Sequence, residues 1–300
     1  MMRRKHLLTV LIFLFSVVKS PAQNQTVADV FCGAELNYSD VNFTRLYNVL
    51  VNLTPGTKVN LGHDWEFAAQ VYIPVVNSGY DSRYSMLRLN MANFSKVLKF
   101  EKAHQYLRFT AGLFGKERYG ADVRWMYPIN SWLMVQARLG LTNHWALGFS
   151  VSDDTSESEF ATSQWNFTGM AGVNFWLNRW KTELRLMGGR YLNKDLGVEA
   201  EAARHFKHCS VSIFAQVHDK NANPYTKSKN MFSGGFRIVM MLPPYKKSKR
   251  KVVWRPASNF RLTYNAQSDG YSMRKYTTDP EENERTYPIR IPWGTGNFDE

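Results

Sequence analysis

Apolar and polar residues alternate with a period of two along most of this chain, the spacing of a strand that turns one face to oil and the other to water. From Leu133 one parity reads Leu133, Val135, Ala137, Leu139 and Leu141, while the other reads Met134, Gln136, Arg138, Gly140 and Thr142. Phe167, Ala171, Val173 and Phe175 oppose Asn166, Thr168, Met170 and Asn174, and Val211, Ile213, Ala215 and Val217 oppose Ser210, Ser212 and Gln216. The pattern predicts strands near 29–38, 43–53, 58–75, 83–95, 105–113, 119–127, 131–151, 163–177, 180–190, 196–205, 209–218 and 231–242. That makes about twelve, with helical periodicity almost absent.

The breaks between strands fall into two kinds. Short turns are expected at Thr54-Pro55-Gly56, Pro128-Ile129-Asn130, Asn178-Arg179 and Phe206-Lys207-His208. Longer polar loops are expected over 77–83, 153–163, 190–195 and 219–230. Short turns on one side and long loops on the other suit an all-β fold, an antiparallel up-and-down barrel. Alternation leaves open which parity points inward. A water-soluble barrel hides its oily side, whereas a transmembrane barrel turns that side to lipid and lines its lumen with the polar one.

The leader and the aromatic content choose between them. Arg3, Arg4 and Lys5 precede an apolar run from Leu7 to Val18 and then Ser20-Pro21-Ala22-Gln23. This is the plan of a secretory signal peptide, too short to span a bilayer, so residues 1–23 are expected to be removed on export. Aromatic residues make up 14 % of the chain, a load that suits the interfacial girdles of a membrane barrel. The expectation is an outer-membrane, transmembrane barrel over 24–242, followed by a basic loop and polar C-terminal extension over 243–300. Phe260–Ala266 is a candidate for one further strand within that extension.

Charge changes the picture of partners. The formal net charge is +13, and an exported basic chain meets lipopolysaccharide and acidic polysaccharide rather than nucleic acid. Lys246, Lys247, Lys249, Arg250 and Lys251 form a run that is a candidate contact for an anionic partner. Cys32 and Cys209 are the only cysteines, and two free thiols packed as small hydrophobes are favoured over a bridge.

The candidate chemistry lies on the polar parity: Arg88, Asp122, Arg124, Arg138, Glu183, Arg185, Glu199, Glu201 and Arg237. If these line a lumen, their mixed signs either neutralise one another and plug it or form a wet track for sugar hydroxyls and uronic-acid carboxylates, with Trp132 or Trp176 as stacking surfaces. Plugging is favoured, because a barrel of this size lies between filled small barrels and open porins. Phosphate-binding, dinucleotide, nucleophile-elbow and paired-histidine motifs are not found, so no enzyme and no cofactor are expected. His205 and His208 are read as the end of a strand and its turn, and the acidic group Asp153, Asp154, Glu157 and Glu159 as a solvated loop.

The stretch Gly188-Gly189-Arg190-Tyr191-Leu192-Asn193-Lys194-Asp195-Leu196-Gly197-Val198, with Phe232-Ser233-Gly234-Gly235-Phe236-Arg237-Ile238 and Trp254-Arg255-Pro256-Ala257, resembles the YjbH-like exopolysaccharide-associated outer-membrane proteins. Leu113-Phe114-Gly115-Lys116-Glu117-Arg118-Tyr119-Gly120 is similar as well. The resemblance implies an outer-membrane barrel tied to production or export of an extracellular polysaccharide, without catalytic residues to carry over. Members are commonly longer and often carry a lipoprotein cysteine at the cleavage site. Residues 21–24 contain none, so a lipid anchor is not expected. The expected partners are membrane lipid, lipopolysaccharide, polysaccharide and envelope export proteins. The competing readings are an adhesive surface barrel acting through its loops and an exported soluble carbohydrate-binding β-protein.

Overall fold

The computed structural model describes residues 27–39, 48–80, 82–144, 165–192, 194–219, 231–243, 251–266 and 275–280. The expected leader, the acidic group at 153–159 and Lys246, Lys247, Lys249 and Arg250 of the basic run lie outside the described residues.

Alternating sequence becomes one continuous sheet. Its strands are β1 (Ala28–Ser39), β2 (Asn48–Gly62), β3 (Trp65–Ser78), β4 (Arg88–Phe100), β5 (Gln105–Phe114), β6 (Arg118–Pro128) and β7 (Leu133–His144). They continue with β8 (Asn166–Leu177), β9 (Thr182–Arg190), β10 (Leu196–His205), β11 (Cys209–His218), β12 (Met231–Met241), β13 (Val252–Arg255) and β14 (Asn259–Asn265). Each strand from β1 to β11 lies antiparallel to its successor, β12 pairs with β14, and β14 pairs with β1 to close a ring of thirteen strands. β13 stands outside the ring, on the same edge of β1 as β14 but nearer the start of β1. The thirteenth strand thus comes from the stretch read as an extension.

An odd count has a geometric consequence. When strands alternate in direction, the first and thirteenth run the same way, so the seam between β1 and β14 is parallel. Parallel ladders are slightly weaker per residue than antiparallel ones, and this seam carries a cross-strand ion pair. Glu35 and Arg261 are register partners, and Arg261 Nη2 donates to Glu35 Oε2 at 2.6 Å. Next to the seam, Arg255 of β13 forks onto Asp29 of β1 with bonds of 2.9 and 2.7 Å. Ser258 N–H donates to the Cys32 carbonyl at 2.8 Å, tying down the step between β13 and β14.

One turn was misread from sequence. Thr54-Pro55-Gly56 sits inside β2, and the chain reverses instead at His63 and Asp64 between β2 and β3. Both residues take left-handed backbone angles, φ 52° and 62°, the pair of positive values that a hairpin with right-handed strand twist demands. Gly56 belongs in the strand because the Phe31 ring lies against it, where a Cβ would intrude. Lys116 and Glu117 make the same turn between β5 and β6, with φ 64° and 55°.

Burial resolves the direction that alternation left open. Leu139 is 51 % exposed while its neighbour Arg138 is only 7 % exposed. The same inversion holds at Phe167 against Thr168, at Leu184 against Glu183 and at Ile213 against Ser212. The oily parity faces out and the polar parity faces in, the reverse of a soluble barrel. Cys32 and Cys209 are free thiols. Turns at 63–64, 101–104, 129–132, 178–181 and 206–208 gather at one end of the barrel, and at the other lie the turn at 115–117 and the far ends of β3, β7, β9 and β11.

The seam predicts its own test. Glu35→Gln removes the charge that holds Arg261 and is expected to destabilise the barrel by about 1–3 kcal/mol, read as a lower temperature of conversion from compact to unfolded migration on a gel. Exchanging the pair as Glu35→Arg with Arg261→Glu should recover most of the loss, and no recovery would remove the ion pair from the account of the seam.

Candidate functional site in the lumen

Side chains of inward parity meet across the enclosed side of the sheet. On β6 and β7, Arg138 Nε donates to Asp122 Oδ2 at 2.7 Å, and Arg124 Nε lies 3.5 Å from Asp122 Oδ1. Across β8 to β12 a longer chain forms. Glu183 accepts from Asn174 at 2.8 Å and from Arg185 at 2.9 and 2.7 Å, and its Oε2 lies 3.3 Å from His205 Nε2. Arg185 also reaches Glu201 at 3.4 Å, and Arg237 reaches the other oxygen of Glu201 at 3.1 Å. Arg88 lies over the Tyr84 ring, 4.4 Å from its centre, with Tyr72 on another side. Of the nine lumen-lining candidates, eight are drawn into ion pairs and Arg88 into cation–π stacking.

The lumen is filled by a segment from far along the chain. Lys275–Pro280 lies inside the ring, with Tyr276, Thr278 and Asp279 buried. Lys275 pairs with Glu199 on β10. The Tyr276 hydroxyl donates to Asp122 at 2.7 Å, its carbonyl accepts from Arg138 at 3.1 Å, and its ring stacks on Phe114 with centres 5.3 Å apart. Burial pushes the Tyr276 phenol up to about 12, against the pull of Arg138, so it stays a proton donor at neutral pH. Asn93 donates to the Thr278 carbonyl at 3.1 Å and Gln70 to the Pro280 carbonyl at 3.2 Å. Asp279 gives one carboxylate oxygen to Lys58 at 2.6 Å and the other to Arg108 at 3.1 Å.

The wall has room for this segment because two inward positions lack side chains. A Cβ on Gly140 would overlap the Tyr276 hydroxyl, and one on Gly115 would overlap Thr277. Gly115 N–H instead donates to the Thr277 carbonyl at 2.9 Å. Residues flanking β9 and β10 are buried too: Tyr191, Leu192 and Asp195 are covered, Leu192 packs with Phe114 and Tyr276, and Asp195 lies 2.7 Å from His218 Nδ1.

Sequence reading missed Lys58, Arg108 and the whole inserted segment. Arg108 was within reach, since it shares the inward parity of β5 with Thr110. The two proposed stacking tryptophans part company. Trp176 is buried beside His205 at 5.5 Å, whereas Trp132 is exposed at the turn end against Phe175. Of the basic run only Lys251 is described, and its carbonyl accepts from Val27 and Ala28 N–H. Among the described residues no group of three His, Cys, Asp or Glu has the geometry to hold a metal.

No curated protein matches this chain. The match to a protein family is extensive, covering residues 39–258 and therefore β2 through β13 with most of the charged wall. On that match the chain belongs to the YjbH family, described as exopolysaccharide biosynthesis protein YbjH.

Proposed function

We propose that this chain is an outer-membrane barrel that supports export, assembly or surface retention of an extracellular polysaccharide without itself catalysing a reaction. The inverted burial carries the membrane half of this reading. Large apolar side chains such as Leu139, Leu141, Phe167, Ile213 and Phe232 ring the outside with no protein over them. Water tolerates such a surface poorly and lipid favours it. No helix among the described residues is long and apolar enough to cross a membrane, whereas closed strands satisfy every backbone group within the sheet and can cross it. Strands β1 to β12 run from 9 to 15 residues, long enough for a tilted crossing, and the closing strand β14 has 7.

A belt of aromatic side chains adds support. Phe100, Trp132, Trp180, Phe206 and Trp254 are all exposed, and all stand at the end of the barrel that carries the short turns. Rings there suit the headgroup layer, where an amphipathic aromatic sits best. The polysaccharide half rests on family membership and on a lumen rich in arginine and amide donors, groups that bind carboxylates and hydroxyls. The filled lumen favours one alternative, an adhesive barrel that acts through its loops.

Two measurements test the reading. Leu139→Arg puts a cation on the outer face and is expected to cost about 2–4 kcal/mol near mid-bilayer, seen as less folded, heat-modifiable protein in the outer-membrane fraction. Full-length protein that stays in the soluble fraction after export would end the membrane assignment. Deleting the gene should lower surface polysaccharide and re-expression should restore it, whereas unchanged polymer would leave the adhesive alternative standing.

A further inference from the structure

The inserted segment joins two walls of opposite character. The wall formed by β2, β5, β6 and β7 offers Lys58, Arg108, Arg124 and Arg138 against the buried carboxylate of Asp122, with Glu66 reaching Arg108 from a more exposed position. The facing wall offers Glu183, Glu199 and Glu201 against Arg185 and Arg237. Lys275 supplies a cation to the acidic side and Asp279 an anion to the basic side. Without the segment, Lys58 and Arg108 would lose the Asp279 carboxylate that they share, a costly loss for buried charge.

We propose that Lys58 and Arg108 form a carboxylate-binding site for an acidic polysaccharide, and that Asp279 is its resident competitor. The polymer enters as its uronate carboxylate replaces that of Asp279. This inference rests on the reading of the barrel as a polysaccharide protein and names the chemistry that reading needs. The geometry selects a carboxylate, because its two oxygens are divided between two cations at 2.6 and 3.1 Å. Arg108, 1 % exposed, is further fixed by donating to Ser95 at 2.9 Å, so the site is built in the wall and does not depend on the segment for its shape.

The neighbouring contacts have the layout of a bound glycan. Asn93 and Gln70 donate to two carbonyl oxygens of the segment, and the same amides suit hydroxyl or ring oxygens of a sugar. Tyr276 occupies a slot between Phe114 and the Arg138 guanidinium, 5.3 and 4.3 Å away, into which a pyranose ring fits. The segment forms no strand of the sheet, and side chains and the glycine-lined seats at Gly115 and Gly140 hold it in place. A neutral glycan offers no charge to Lys58 and Arg108 and cannot exchange with Asp279 on equal terms.

Thiol labelling of the full chain in detergent micelles tests this without a bilayer. With Cys32→Ser and Cys209→Ser as background, Thr278→Cys places a thiol at a position that is 0 % exposed. Labelling by a maleimide should be slow, should quicken with added oligogalacturonate, and should not respond to dextran of equal length. Asp279→Asn should quicken labelling about tenfold without polymer, the scale of one lost charge-assisted hydrogen bond. It should also tighten binding of fluorescent oligogalacturonate, because the competitor is gone. Gly140→Val, which blocks the Tyr276 seat and alters no charge, should quicken labelling without polymer as well. Lys58→Gln with Arg108→Gln should abolish the polymer response while the barrel still shows heat-modifiable migration. Labelling indifferent to oligogalacturonate, an equal response to dextran, or polymer-free labelling unchanged in both Asp279→Asn and Gly140→Val would overturn the site. A soluble location found by fractionation would instead overturn the membrane reading and leave these measurements standing.

Discussion

A charge enclosed by a sheet is tolerable only where a counter-charge faces it, and that constraint organises this barrel. Closing thirteen strands turns the oily parity out and obliges everything else to point in. The interior therefore receives Arg108, Asp122, Arg124, Arg138, Glu183, Arg185, Glu199 and Glu201 whatever else it does. The solution reaches across strands. Arg185 bonds Glu183 on its own strand and Glu201 on the next, and Glu201 passes the connection to Arg237 two strands further on. Such a network resists slippage, since a shift by one residue would send every member to the outer face.

The same constraint explains the seam and the inserted segment as one kind of answer. Antiparallel neighbours joined by tight turns hold register through chain connectivity, but β14 and β1 meet with most of the chain between them. Register there is marked by charge, through Glu35 with Arg261, and Asp29 with Arg255 does the same where β13 lies along the start of β1. The lumen has a similar need on a larger scale. Its basic and acidic sides are linked by Lys275 and Asp279, four residues apart on one short stretch of chain.

What could be read from sequence follows from the range of each interaction. Parity is local, so the strands β5 to β12 and the inward set from Asp122 to Arg237 were visible residue by residue. Thr54-Pro55-Gly56 misled because the reason for Gly56 lies on another strand, in the Phe31 ring, while the true turn at His63 and Asp64 lacks the Asn-Gly or Asp-Gly pair that usually marks such a hairpin. Phe260 to Asn265 carried strand-like residues but no sign that it would pair in parallel with the first strand. The segment from Lys275 to Pro280 was illegible for a stronger reason. Its partners reach back as far as Lys58 on the second strand, and nothing local distinguishes it from a polar tail. The glycines that admit it, Gly115 and Gly140, look like ordinary strand and turn glycines until the facing atoms are known.

The family match adds a physical division. It spans β2 to β13 and so takes in Lys58, Arg108, Arg124 and Arg138, together with the glycines that leave space beside them. β14 and the residues that fill the lumen come after it. The excess of cations on one wall is therefore a property of the matched stretch, and the neutralising carboxylate of Asp279 comes from outside it. A wall of that kind requires an anion whenever the tail is elsewhere, because arginine cannot shed its proton to escape burial. Water and small ions can meet that need weakly. A polymer that carries carboxylates at regular intervals would meet it repeatedly along the lumen, which is the physical reason for proposing an acidic chain as the counterpart of this wall.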